Sequence, residues 1–358
     1  MRIVFASISV FLILLFTESD VLVNGLESNQ CTGAQNCEQC AGSVDNGVSC
    51  RWCLESNQCV PSKYLCHPWR TVIHEVNCPS SQLPTTYNDT FLRTEIAAYI
   101  HAANRVSEFS PVGAPMSCLM KLSSNVTVLY EMNVPTSLEG RTIGVLIGVN
   151  HDLKHVFIGF RSTNDPVQFV AQFYVFMMGW MEDFLLGARM VAIYSRMYKN
   201  ILEFGFDRYL EDALKSHPTY SLLVTGHSLG GAMATVFSLH VALKYPQKKT
   251  HLYSLSAPRS GDETFVKCLK EHLFEEFRVV RDGDFVPDSP FRVSQTIETA
   301  HHNSFEIFYG SHMAVDNYRI CDQPETEYCL KGSWWKKPVA HMYLFDQNFY
   351  NYHLGYCE

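Results

Sequence analysis

The residues best placed to do chemistry lie together in Gly226-His227-Ser228-Leu229-Gly230-Gly231. A serine hydroxyl is a weak nucleophile until a histidine takes its proton, and that histidine needs an acid behind it. Glycines two residues before and two after Ser228 permit a tight turn that a Cβ at either place would obstruct, and the third allows close packing. A short strand-like stretch, 220–225, precedes this turn and a good helix, 232–243, follows it. In a strand-turn-helix unit the helix points its first N–H groups at the serine, where they stabilise negative charge. The N–H of Leu229, next after the serine, is then placed to bind an oxyanion. Acyl transfer through a covalent serine ester is the chemistry implied, with no metal and no organic cofactor.

The elements that must position these groups alternate. Residues 141–149, 155–160, 250–255 and 276–280 are apolar or β-branched runs of strand length. Residues 201–215 have helical spacing, with Leu202, Phe206, Tyr209, Leu210, Ala213 and Leu214 on one side. Such alternation predicts an α/β domain with a mainly parallel sheet and helices on its faces. A carboxylate just past a strand lies at the sheet edge where ligands bind, and Asp282, Asp284 and Asp288 all satisfy that. An Asp in a turn also serves simply to bond its own backbone. His301, His302, His312, His341 and His353 are the candidate bases, and spacing alone does not choose among them.

Thr225-Gly-His-Ser-Leu-Gly-Gly-Ala232 resembles the class 3 lipases, the group of the fungal triacylglycerol lipases. Phe160-Arg161-Ser162-Thr163 is similar to that family's oxyanion loop, Phe-Arg-Gly-Ser/Thr, and Ala257-Pro258-Arg259-x-Gly261 to its Gln-Pro-Arg-x-Gly. The motif order agrees, and the resemblance spans roughly residues 95 to 357. It implies an α/β-hydrolase fold, with acid and then base following the serine in the chain. The family pattern Asp-x-Val-Pro selects Asp284, and Val339-Ala340-His341-Met342-Tyr343-Leu344 resembles the segment that carries the catalytic histidine. His301 and His302 are then structural or solvated. Thr163 is implied as the second oxyanion donor, the alternative being a cap on a following helix. Ser162 departs from the family's glycine, so a Cβ there bears on how closely the loop approaches the acyl oxygen. A Cys321–Cys329 disulfide is implied as well.

The implied activity is hydrolysis of acyl esters of lipids at an interface, with triacylglycerol first. Phospholipase A1 and feruloyl-type soluble-ester esterase are alternatives on the same fold. An inactive lipid-binding or extracellular interaction protein is the alternative of another class, which an intact Ser, Asp and His disfavour. Residues 166–186 are apolar in nearly every helical direction, so they are expected to be buried or to face lipid. They directly follow the oxyanion loop, where the family places its lid; the other expectation is a core helix.

Composition sets the frame. Hydrophobic residues at 47% and charged residues at 18% suit a chain with a sizeable core, and a net charge of −8 argues against a nucleic-acid partner. Arg2 followed by an apolar run from Ile3 to Phe16 is shorter than a membrane span and is expected to be an export signal, residues 1–25, with cleavage near Ser19 as the competitor. Eight of the 13 cysteines crowd into residues 31–78, which predicts a disulfide-held module over 26–80 ahead of a hydrolase domain over 81–358. Cys50-Arg-Trp-Cys53 followed by Cys59 resembles the PSI module of plexins, semaphorins and integrins, which implies an extracellular partner. Zinc on Cys37-x-x-Cys40 and Cys50-x-x-Cys53 is the alternative. Asn88 and Asn125 head glycosylation tripeptides. Cys118 with Cys357 is a further candidate pair, which leaves Cys268 over.

Overall fold

Side chains alternate across a strand, so each strand of a sheet that is covered on both sides feeds two separate cores. The computed structural model describes residues 30–349 apart from 46, 62–64, 68–69, 81–83, 108–109, 111–112, 123–124, 137–141, 164–179, 291–299, 304 and 326–337. Its central sheet has β1 (Val126–Pro135), β2 (Thr142–Asn150), β3 (His155–Phe160), β4 (Ser221–His227), β5 (Thr250–Leu255), β6 (Glu275–Arg281), β7 (Phe305–Tyr309) and β8 (Tyr318–Cys321). These eight strands lie side by side in chain order. Strands β3 to β7 are parallel; β1, β2 and β8 close the edges antiparallel.

Parallel neighbours joined in sequence by crossovers of one hand place the connecting helices on one face. Val145, Ile147 and Val149 of β2, Val156 and Ile158 of β3, and Leu222 and Val224 of β4 all enter that face's core. It also holds residues of α3 (Ala192–Glu203), α4 (Phe206–Ser216), α5 (Leu229–Lys244) and α6 (Glu263–His272). The alternate residues Leu146, Phe157 and Leu223 point the other way. There they meet α1 (Ala97–Asn104), α2 (Ala114–Leu122) and the late residues Leu344, Phe345 and Phe349.

Three expectations about elements need correction. Residues 201–215 are not one helix: α3 ends at Glu203 and α4 starts at Phe206, with Gly205 at φ 102° between them. The apolar periodicity ran through the break because Phe206, Leu210, Ala213 and Leu214 bury the same face. The apolar segment 166–186 lies mostly outside the described residues, and its described end is a short strand followed by a kinked 3-10 turn rather than an α-helix. Met181–Asp183 pairs antiparallel with Arg189–Val191, and Leu186 turns the chain at φ 58°. The helix after Ser228 begins at Leu229, three residues earlier than its sequence suggested.

The Cys-rich module is held by Cys31–Cys50, Cys37–Cys78, Cys40–Cys59 and Cys53–Cys66. All sulfurs of the two Cys-x-x-Cys pairs are committed to these bonds, which removes the zinc alternative. Its main core is made of cysteines with Trp52, Val72 and Ala41. The module touches the sheet domain through His74 Nδ1 and Glu263 Oε2 at 2.9 Å and through Lys267 and Glu75 at 3.0 Å. Ser80 N–H also donates to the Asp322 carbonyl at 2.8 Å. Cys118 and Cys321 are disulfide-bonded; their expected partners, Cys357 and Cys329, lie outside the described residues, as does the export signal. Cys268 is free and buried. Asn88 and Asn125 are exposed.

Candidate active site

Strand β4 ends at His227, and Ser228 turns the chain at φ 57°, ψ −126° before α5 begins. A non-glycine residue in so sparsely populated a region costs about 1–3 kcal/mol, which the surroundings must enforce. They do so through Ser228 N–H donating to the Leu255 carbonyl at 2.9 Å and Ala232 N–H donating to the Ser228 carbonyl at 3.1 Å. The flanking glycines allow the close approach. A Cβ on Gly226 would sit 2.2 Å from the Gly230 oxygen, and one on Gly230 would sit 2.3 Å from the Phe160 oxygen. The second contact presses the first turn of α5 against the end of β3, where the Phe-Arg-Ser-Thr loop starts.

Three buried side chains meet there. His341, on α7 (Pro338–Met342), has Nε2 2.8 Å from Ser228 Oγ. Its Nδ1 is 3.1 and 3.0 Å from the two oxygens of Asp284. A carboxylate only accepts, so Nδ1 carries the hydrogen and Nε2 is left to accept from the serine hydroxyl. Burial alone would raise the Asp284 pKa, but His341 and the Val286 N–H outweigh it and hold the carboxyl below its ordinary range. Asp284 is therefore ionised where it faces the ring.

The other candidates fall elsewhere. Asp282 and Asp288 are only partly buried, and the Asp288 carbonyl accepts from Arg259 Nη1 at 2.5 Å. Arg259 also forks onto Glu325, at 2.8 Å from both Nε and Nη2, and its Nη1 reaches the Pro290 carbonyl at 3.0 Å. It thereby anchors the loop that follows Asp284. His301 and His302 are buried, so the solvated half of the expectation for them is wrong. His302 is kept neutral chiefly by burial, with Arg278 and Arg259 adding to it. His312 is exposed, and His353 lies outside the described residues.

Leu229 opens α5, so its N–H has no acceptor within the helix. Thr163 is buried just beyond β3. The loop between is fixed by residues that the sequence did not single out for this task. The Arg161 guanidinium is buried and donates to the carbonyls of Val106 and Thr142, and to the Thr142 hydroxyl at 2.7 Å. Ser162 N–H donates to Asn104 Oδ1 at 3.0 Å. Asn104 stands 58 positions away in sequence, so no local pattern signals it. This arrangement can deprotonate a serine hydroxyl as it attacks a carbonyl carbon, with backbone N–H groups beside the developing oxyanion.

The family model for lipase (class 3) matches residues 157–294, which covers the end of β3, the turn at Ser228 and Asp284. A lipase of Caenorhabditis elegans is 27% identical over 231 residues, 56% of this chain and 61% of that protein. The secreted mono- and diacylglycerol lipase 1 of Fusarium solani is 29% identical over 139 residues, 37% of this chain and 40% of its own. This chain thus spans about two fifths to three fifths of the length of these curated relatives. Lipase II from Rhizopus niveus superposes with a TM-score of 0.58 at 22% identity, covering 73% of this chain and 97% of that one, which shows a shared fold. The motif order, the α/β-hydrolase sheet and the match over residues 157–294 agree in the likeness of this chain to the class 3 lipases.

Proposed function

We propose that this chain is a secreted serine esterase that hydrolyses acyl esters of lipids, with triacylglycerol as its leading substrate. The observation that carries the reading is the buried chain from Ser228 Oγ through the His341 ring to Asp284. Ser228 Oγ attacks the acyl carbonyl carbon while its proton passes to His341 Nε2. The negative charge that develops on the carbonyl oxygen is held by the N–H groups of Leu229 and Thr163. Collapse breaks the ester bond, and His341 gives the proton to the leaving alkoxide. Water then loses a proton to His341 and attacks the Ser228 ester, releasing the fatty acid and restoring the serine. Asp284 stabilises the imidazolium in both halves.

Relatives named as lipases and as a mono- and diacylglycerol lipase support acylglycerols as the substrate class. Four disulfides within residues 31–78 and a relative described as secreted support export, with residues 1–25 as its signal. The Cys-rich module, residues 26–80, then stands outside the catalytic domain as a site for an extracellular partner. The decisive experiment is fatty-acid release from emulsified long-chain triacylglycerol by the full-length protein, beside Ser228→Ala. Release by the wild type and none by the variant is the expected result. Release only from mono- and diacylglycerol, phospholipid or a soluble ester would move the substrate accordingly. No reaction with any ester would leave the non-catalytic, lipid-binding reading in its place.

A further inference from the structure

Ser162 stands where the family it resembles carries glycine, and its side chain is buried rather than turned to solvent. Its Oγ lies 3.1 Å from His227 Nδ1 and 3.0 Å from the His227 carbonyl oxygen. The His227 ring reaches the other way, with Nε2 2.9 Å from the His341 carbonyl oxygen, and stacks on the His341 ring at 4.7 Å. A carbonyl only accepts, so Nε2 carries the hydrogen. Burial, reinforced by His341 beside it, holds the His227 pKa down to about 3, so the ring is neutral and Nδ1 is a bare acceptor. The one hydroxyl hydrogen of Ser162 therefore faces two acceptors, both belonging to the residue just before the nucleophile.

The backbone of Ser162 closes the circuit from the opposite side. Its N–H donates to Asn104 Oδ1, and Asn104 Nδ2 donates to the Phe349 carbonyl at 3.2 Å. Phe349 N–H in turn donates to the Met342 carbonyl at 2.8 Å, one residue past His341. The path Ser162–His227–His341–Met342–Phe349–Asn104–Ser162 is thus a closed ring of bonds. It runs under the loop that bears Thr163 and under the segment that bears the base. A glycine at 162 has no hydroxyl to complete it.

We propose that Ser162 is a positioning residue, whose hydroxyl locks the oxyanion loop to the nucleophile strand and, through His227, to the His341 segment. This rests on the esterase reading above and adds which residue sets the distance between oxyanion donors and nucleophile. Without the hydroxyl the loop keeps its anchors at Asn104 and through Arg161 but loses its side-chain bonds to the residue before the nucleophile, so the distance from Thr163 to the developing charge is set less tightly. Small misplacement of a catalytic donor is felt in the transition state rather than in the bound substrate.

The test compares full-length wild type with Ser162→Ala and with Ser162→Gly on a soluble p-nitrophenyl butyrate. Active Ser228 is counted by titration with a p-nitrophenyl alkylphosphonate. The expected result is a kcat per titrated site lower by about 10- to 100-fold in both variants, with KM within about twofold. Affinity for a trifluoromethyl ketone, which mimics the tetrahedral adduct, should fall in parallel. A purely structural role would instead lower the melting temperature and the titrated fraction while leaving kcat per site unchanged, and that outcome overturns the inference. Ser162→Gly adds no bulk and guards against misfolding of the alanine variant. A wild type that reacts with neither reagent sinks the esterase reading itself, a result distinct from unaltered turnover in the variants.

Discussion

The Cys-rich module and the sheet domain solve the same folding problem by opposite means. Between residues 31 and 78 the buried apolar mass is largely sulfur: eight cysteines in four bonds, with Trp52 and Val72 among the few hydrocarbon side chains between them. The sheet domain buries β-branched and aromatic residues on both faces of eight strands and keeps its chemistry at one edge. Small domains cannot bury enough surface to offset chain entropy, so covalent closure of the unfolded chain takes over. The difference teaches where each region is vulnerable: the module through its bonds, the sheet domain through single polar contacts at the serine.

That contrast breaks if chemistry depends on the module or if stability of the module survives loss of a bond. The largest effect expected is that of Asp284→Asn. The amide matches the carboxylate in size but favours the wrong His341 tautomer, so kcat should fall by about 10⁴-fold. Thermal unfolding should move little by comparison; a kcat within tenfold of wild type would mean that Asp284 does not orient the base. Next comes the double variant Cys37→Ala with Cys78→Ala, which opens a bond spanning 41 positions. It should cost the module about 2–4 kcal/mol by denaturant titration while turnover per titrated Ser228 stays within about threefold. A collapse of turnover in that variant would show that the module props the active site.

The smallest effect sharpens the boundary between the two regions. Hydrogen bonding from His74, with Lys267 nearby, holds the Glu263 pKa down to about 2 against the opposing effect of burial. A carboxyl depressed in the folded state stabilises it above its unfolded value of about 4.3 and loses that contribution as pH falls towards 2. Limited acid proteolysis should therefore cut after the module more readily as pH drops from about 4.5 to about 2. Glu263→Gln should show a weaker pH dependence over the same window. Identical profiles for both proteins would remove this contact from the account of how the module docks.

Strands β2 to β6 were legible because they are short apolar runs set apart by turns and helices, a pattern that local steric preference and burial both support; the edge strands β1 and β8 were not read from the sequence. Reading residues 201–215 as a single helix failed because burial periodicity continued across Gly205, and only the backbone shows the left-handed turn there. The end of the apolar run, Met181 to Leu186, read as helical from composition, yet its strand exists only because Arg189–Val191 lies beside it. Arg161 and Arg259 sit within recognisable motifs, but neither motif says that their guanidinium groups bind loop carbonyls.

What the sequence by itself determined is what lies within a few residues. The serine turn between strand and helix follows from glycine spacing, the disulfide-held character of residues 31–78 follows from cysteine density, and the candidate acids follow a strand. The family resemblance pointed to Asp284 and His341, but local spacing did not choose them, and only tertiary structure sets carboxylate against ring, since His341 is 113 positions from Ser228 and 57 from Asp284. It alone also made Asn104 and His227 partners of Ser162. Hydrogen bonds depend on distance and direction in space, and a chain folded over eight strands brings groups within 3 Å whose separation in sequence carries no trace of that contact.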